Sequence, residues 1–121
     1  MSLVSRLRQR LGQDQAEVEA ADLSVECARP GCERIAELTQ GRRGQVTGTV
    51  HSLAVPPKGA RPELRVELYD GTGFVELVWL GRSSISGIET GAYLTVSGRV
   101  AVADDRLVMY NPGYDLLPAH A

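Results

Sequence analysis

The loop Pro56-Pro57-Lys58-Gly59-Ala60-Arg61-Pro62 carries two cations and no anion. Its three prolines restrict its conformations, so little entropy is lost when a ligand holds it. Beyond it, Arg65 and Tyr69 share one side of an alternating run, and Phe74 and Arg82 follow. Ammonium and guanidinium groups meet phosphates, guanidiniums also stack as flat cations, and aromatic rings accept bases at ~1 to 3 kcal/mol each. Lys58, Arg61, Arg65, Tyr69, Phe74 and Arg82 are therefore the candidate site for a nucleic acid, with Arg99 a further cation of the same kind. Glu67 and Glu76, expected on the same face, and Asp104-Asp105 in a later loop oppose a phosphate backbone. The same residues also have ordinary uses. A proline loop is a rigid turn, Tyr69 with Phe74 makes a cross-strand pair, and arginines are commonly just solvated.

Nothing in the spacing of the remaining reactive residues predicts catalysis. Cys27 and Cys32 stand in C-x4-C spacing, but a structural zinc site needs four ligands, and the histidines are His51 and His120 alone. His51 falls on a polar strand face with no acid or nucleophile near it in sequence, as a surface histidine does. There is no Gly-x-Ser-x-Gly elbow and no glycine loop ending in Lys-Ser or Lys-Thr; Lys58, the sole lysine, sits among prolines. A non-enzymatic chain without metal or cofactor is expected. Thirteen Lys plus Arg against fifteen Asp plus Glu give a net charge of −2, which excludes a generally basic tail or a membrane-binding polycation. No apolar run approaches the ~20 residues of a membrane span, and no signal-peptide core opens the chain. The expected location is cytoplasmic, where two cysteines remain reduced.

The elements that must carry these residues change character near residue 44. Upstream, Leu3, Val4, Leu7 and Leu11 recur at helical spacing, and Gly12 is expected to end that helix. Residues 13 to 26 fit either a solvated helix or a mobile linker, and a second helical piece is expected from about Glu33 to Leu38, stopping at Gly41. From Gln45 the period becomes two. Val46, Gly48 and Val50 alternate with polar residues, as do Leu64, Val66 and Leu68, and Asp70-Gly71-Thr72-Gly73 supplies hairpin chemistry. In the third strand, Phe74 to Leu80, an outward Glu76 puts Val75, Leu77 and Trp79 in the core and Phe74, Val78 and Leu80 outside. A fourth strand is expected from about Tyr93 to Ala103 and a fifth from Arg106 to Asn111, ended by Pro112-Gly113. Val46-Thr47-Gly48-Thr49-Val50 and Val96-Ser97-Gly98-Arg99-Val100 share the form V-x-G-x-V; a glycine there marks a bend where strands cross at a barrel corner. The expected architecture is all-β, a five-stranded Greek-key barrel over residues 44–117, with an N-terminal helical extension over 1–43 and a tail over 118–121. Between the third and fourth strands, Arg82 to Ile88 is expected to form a one-turn helix, with Ile85 and Ile88 plugging the barrel end.

From about Leu38 to Leu117 the chain resembles an OB-fold, and within it the wedge domain of RecG-type branched-DNA helicases and small stand-alone OB-fold proteins of high-GC Gram-positive bacteria. The matching pieces are Gly44-Gln45-Val46-Thr47-Gly48-Thr49-Val50, Pro62-Glu63-Leu64 through Asp70-Gly71-Thr72-Gly73, Leu77-Val78-Trp79 and Asn111-Pro112-Gly113-Tyr114. No helicase motor or nucleotide-binding motif accompanies them. The resemblance implies a ligand crossing the outer face of strands two and three, between the loop after strand one and the loop after strand four. The expected function is weak, salt-dependent binding of single-stranded or branched DNA, or of RNA. The alternative is a protein-interaction adaptor using Phe74, Val78 and Leu80, or self-association through the N-terminal helix. If that helix covers strands two and three it is a gate, and removing residues 1 to 20 should then raise nucleic-acid affinity.

Overall fold

The structure, a computed structural model, describes the backbone of residues 3–118 and the side chains of residues 15–118. A helix α1, Leu3–Cys27, leads through a single 3-10 turn, Ile35–Glu37, into seven strands. These are β1 (Arg43–Ala54), β2 (Glu63–Tyr69), β3 (Phe74–Leu80), β4 (Tyr93–Arg99), β5 (Ala101–Ala103), β6 (Arg106–Tyr110) and β7 (Gly113–Leu116). The strand order is β5-β6-β3-β2-β1-β4-β7. Because only Val100 separates β4 from β5, one strand starts beside β1 and finishes beside β6, and this closes the sheet into the expected five-stranded barrel. The break comes where Val100 turns its side chain into the core while its amide donates to the Arg42 carbonyl. β7, which lies along β4, is an addition to the five expected strands.

The alternating pattern builds the interior as its period requires. Val46, Val66, Leu77 and Leu94 are fully buried, each worth about 1.5–3 kcal/mol. Ile85 and Ile88 plug the barrel end as expected, but no helix holds them. Gly81 before that segment and Gly87 within it are both at positive φ, and the segment is a loop with one turn, closed by the Ile88 amide on the Ile85 carbonyl at 3.0 Å. Gly48 has a reason of its own: a Cβ there would lie 2.8 Å from the Tyr69 carbonyl oxygen and 2.8 Å from Leu68 Cγ, so only a glycine lets β1 bend across β2. Beyond that bend the β1–β2 register shifts between Val50 and Ser52, a bulge that leaves His51 between them.

Two expectations upstream need correction. Gly12 does not end the first helix, which continues to Cys27. One interior glycine costs only about 1 kcal/mol, and the Gln, Glu and Ala that follow are strong helix formers. The Glu33–Leu38 piece reduces to the 3-10 turn, because Arg34 and Leu38 are extended and Asp70 captures the Ile35 amide at 2.9 Å. The stripe Leu3, Val4, Leu7 and Leu11 lies outside the residues whose side chains are described. Further along, α1 rests on the β2–β3 hairpin: a Cβ on Gly71 would sit 2.1 Å from the Ala20 carbonyl oxygen, and the Tyr93 hydroxyl donates to Glu26 at 3.2 Å. The outer residues Phe74 and Leu80 remain exposed, so the described helix docks at the barrel's end and leaves the β2–β3 face open.

Candidate nucleic-acid interface

Asp70 sets the hairpin from which Tyr69 and Phe74 project. Asp70 is 3% exposed; its Oδ1 accepts from the amides of Thr72 (2.9 Å) and Gly73 (3.2 Å) and from the Thr72 hydroxyl (2.6 Å), while Oδ2 accepts from the Ile35 amide. Turn and upstream segment are thereby tied to one side chain. Tyr69 and Phe74, directly paired across β2 and β3, stack at 4.4 Å with an interplanar angle of 20°. His51, at the β1 bulge, stands edge-on to Phe74 at 5.4 Å and to Tyr69 at 6.3 Å. Its Nε2 lies 3.9 Å from Glu67. Phe74 stays 47% exposed, so the cluster presents an aromatic surface to solvent.

Arg65 sits mid-face and is already engaged. Its Nε donates to Glu63 at 3.1 Å, and Nη1 makes a close ion pair with Glu76. Hydrogen bonding to Glu63 first, then to Glu76, raises its pKa above the ordinary arginine value. Lys58, Arg61 and Arg82 have no carboxylate partner among the described residues, and all three are exposed. They share one end of the face: the Gly81 amide donates to the Pro62 carbonyl at 2.9 Å, which pins the end of β3 to the proline loop. A cleft of about 570 Å³ opens there between Pro56, Pro62 and Leu80. The aromatic cluster lies at the other end, six residues along β3 or roughly 20 Å away.

One predicted patch is split by the structure. Val78 is on the outer side of β3, outside the interior cluster, yet it is fully buried. Register places it between Arg65 on β2 and Tyr110 on β6, whose longer side chains flank it. Phe74 and Leu80 are thus separate exposed residues at opposite ends of the strand, and Val78 is unavailable to a partner.

Three residues of this face escaped the sequence reading. Arg106 and Tyr110 reach it because β6 runs parallel to β3, and His51 because β1 pairs with β2 alongside Tyr69. Asp104 and Asp105 both adopt positive φ and form the two-residue turn from β5 into β6, which delivers Arg106 beside Glu76. Asn111, also at positive φ, accepts the Leu80 amide at 2.9 Å, and the Trp79 indole donates to the Pro112 carbonyl at 3.0 Å. These bonds lock β6 against the end of β3.

The cysteines remain free thiols. Burial first, then the negative charges of Asp70 and Glu26, push the Cys27 thiol up to about 11. Cys32 Sγ lies 3.4 Å from the Thr47 hydroxyl. Among the described residues no group of three His, Cys, Asp or Glu side chains is placed to hold a metal, and no helix is long and apolar enough to cross a membrane.

No protein-family model matches the chain, and no curated protein matches it. Solved structures do. A replication factor A related protein from Methanobacterium thermoautotrophicum shares 18% identity over 78% of this chain and 100% of its own, with a TM-score of 0.58. An OBody bound to hen egg-white lysozyme shares 18% over 74% of this chain and 96% of its own, with a TM-score of 0.56. A replication protein A heterotrimer bound to single-stranded DNA shares 15% over 79% of this chain and 75% of that one, with a TM-score of 0.51. At these identities the likeness is one of fold, and with the barrel closure and crossing glycine it makes this chain an all-β OB-fold with an N-terminal helix.

Proposed function

We propose that this chain is a non-catalytic module that binds single-stranded nucleic acid across β2–β3. Bases stack on the Phe74–Tyr69–His51 cluster, while Lys58, Arg61 and Arg82 take phosphates at the opposite end. The observation that carries this reading is an open sheet face with an exposed aromatic stack at one end and, at the other, three cations that have no carboxylate partner among the described residues. The roughly 20 Å between them suits about four nucleotides, the lower end of OB-fold site sizes. The resemblance to the RecG wedge adds forked DNA as a substrate to be compared, and RNA is the other alternative strand. Binding is weak: three phosphate contacts give a salt slope near −2 on single strands.

Fluorescence anisotropy tests the reading with labelled single-stranded, hairpin and forked DNA and single-stranded RNA, each at low and moderate salt. Single strands should bind at low salt and lose affinity steeply as salt rises. Phe74→Ala should lower affinity about 5- to 150-fold, the equivalent of one lost stacking contact of ~1 to 3 kcal/mol. No binding at low salt, or binding indifferent to Phe74→Ala, refutes it.

A second reading, an adaptor for a protein partner, is favoured by the exposed Leu53, Val55 and Leu80 near the proline-loop cleft. One structure of similar fold, an OBody, is bound to hen egg-white lysozyme. Such a complex should be nearly indifferent to salt and lost on Leu80→Asp, the exposed residue that replaces Val78 as the probe.

A further inference from the structure

Arg43 and Arg99 are direct partners across the antiparallel β1–β4 pair, and Arg42 adjoins them. All three are exposed, and none has a carboxylate within ion-pair distance among the described residues. Glu33, whose carboxylate lies beside Gly44, pairs with none of them. Like charges set directly opposite one another destabilise a sheet, so this arrangement is relieved when an anion lies between them. Their backbone is firmly held: the Val100 amide donates to the Arg42 carbonyl at 2.9 Å, and the Gly41 amide donates to the Val100 carbonyl at 2.8 Å.

The registers connect this pair to the face described above. Arg65 lies opposite Val78, and Val78 opposite Tyr110. Ala101 lies opposite Val108, and carrying that antiparallel register on by two residues sets Arg99 beside Tyr110, consistent with the contact between β4 and β6. Arg99 in turn faces Arg43. The sequence Arg65, Val78, Tyr110, Arg99, Arg43 is therefore one row running across the strands, five strands wide and roughly 19 Å long at ~4.8 Å per step. Tyr110 is 50% exposed, an aromatic ring midway along it.

We infer that a polynucleotide leaving the β2–β3 face continues along this row, with a base on Tyr110 and phosphates on Arg99 and Arg43. The inference rests on the single-strand reading above and extends its footprint around the barrel onto β4 and β1. The acidic β2–β3 face favours such a path, since Glu63 and Glu76 already occupy Arg65 whereas Arg43 and Arg99 have no carboxylate partner among the described residues.

The test uses the full chain and fluorescein-labelled oligothymidylates of roughly four and roughly sixteen nucleotides, the two ends of the OB-fold range. The variant is Arg43→Gln/Arg99→Gln, whose sites are exposed and unpaired, so its melting temperature should match or exceed wild type. With the long oligonucleotide the variant should lose two phosphate contacts and its salt slope should shrink by about 1.4. Over a tenfold rise in salt, wild type then loses about 25-fold more affinity than the variant. The short oligonucleotide should bind both proteins equally. A long-oligonucleotide slope that the variant leaves unchanged, while wild type binds and Phe74→Ala weakens binding, overturns the extended path alone. Absence of wild-type binding to either length overturns the single-strand reading together with it.

Discussion

Replacing Asp70 by Asn keeps the shape of the side chain and removes one of its two acceptor oxygens. In the native protein one oxygen serves the Ile35 amide and the other serves the Thr72 and Gly73 amides together with the Thr72 hydroxyl. Whichever way the new amide turns, its NH₂ faces at least one backbone N–H, donor against donor. With the carboxamide oxygen toward the hairpin, the buried Ile35 amide loses its acceptor, a cost of about 1–3 kcal/mol, and the remaining bonds lose their charge assistance. The expected total is about 2–3 kcal/mol. Asp70→Ala should cost only about 1 kcal/mol more, because Thr72 and Gly73 are partly exposed and water can replace the lost oxygen. Urea unfolding followed by the fluorescence of Trp79, the sole tryptophan, measures both. For a slope of about 2 kcal/mol per molar, the Asn midpoint should fall by about 1–1.5 M. An Asn variant within about 0.5 kcal/mol of wild type, well below the price of an unpaired buried amide, refutes the assignment of Asp70 as the tie between hairpin and upstream segment.

Gly48→Ala should destabilise the fold by about 2 kcal/mol or more, an overpacking cost, since its Cβ meets the Tyr69 carbonyl rather than a movable side chain; a thermal melt within a degree of wild type would rule out the close crossing. Cys27, with its thiol at about 11 in the fold against an ordinary 9.0, binds its proton more tightly when folded. Its contribution to stability is complete below pH 9 and is lost as pH rises from 9 toward 11, so wild type should decline relative to Cys27→Ala across that window. In native protein at pH 8, iodoacetamide should modify Cys32 first; equal rates at both thiols would contradict the burial of Cys27. Glu67→Gln/Glu76→Gln should raise affinity for both strands and raise duplex affinity the more, measured by anisotropy against a hairpin and its unpaired strand, and an equal rise for both would count against an acidic face that selects single strands.

The barrel was legible because its signals are local and repeated. Period-two alternation placed Val46, Val66 and Leu77 inside, and the paired V-x-G-x-V segments marked strands that bend. The candidate site was legible only where one strand or one loop supplied it, as with the proline loop and the Tyr69–Phe74 pair. What escaped depends on pairing between distant segments. Alternation turns His51 outward, but its place beside Tyr69 and Phe74 comes from the pairing of β1 with β2 and of β2 with β3. Val78 looked exposed from its place in β3, but β6 lies alongside and brings Tyr110 next to it, a parallel pairing that no local pattern encodes. Arg65 has the chemistry to hold a phosphate, but Glu63 on its own strand and Glu76 across β3 already engage it. The first helix differs for the opposite reason: the strong helix propensities that follow Gly12 outweigh that single glycine.

The charge layout of the β2–β3 face bears on selectivity as well as affinity. Glu63, Glu67 and Glu76 project from these strands, and Asp104-Asp105 stand at the adjoining turn, against Arg65 and Arg106. A duplex keeps its bases stacked inside and offers only phosphates, so over these carboxylates it meets repulsion that no stacking contact offsets. A single strand can turn its bases inward onto Phe74, Tyr69 and Tyr110 and carry its phosphates out to Lys58, Arg61 and Arg82 at the rim. In the proposed function the carboxylates therefore lower overall affinity while widening the gap between single strands and duplex. Every base has a π-face, so the resulting recognition tolerates sequence and depends on whether the bases are free to leave their own stack.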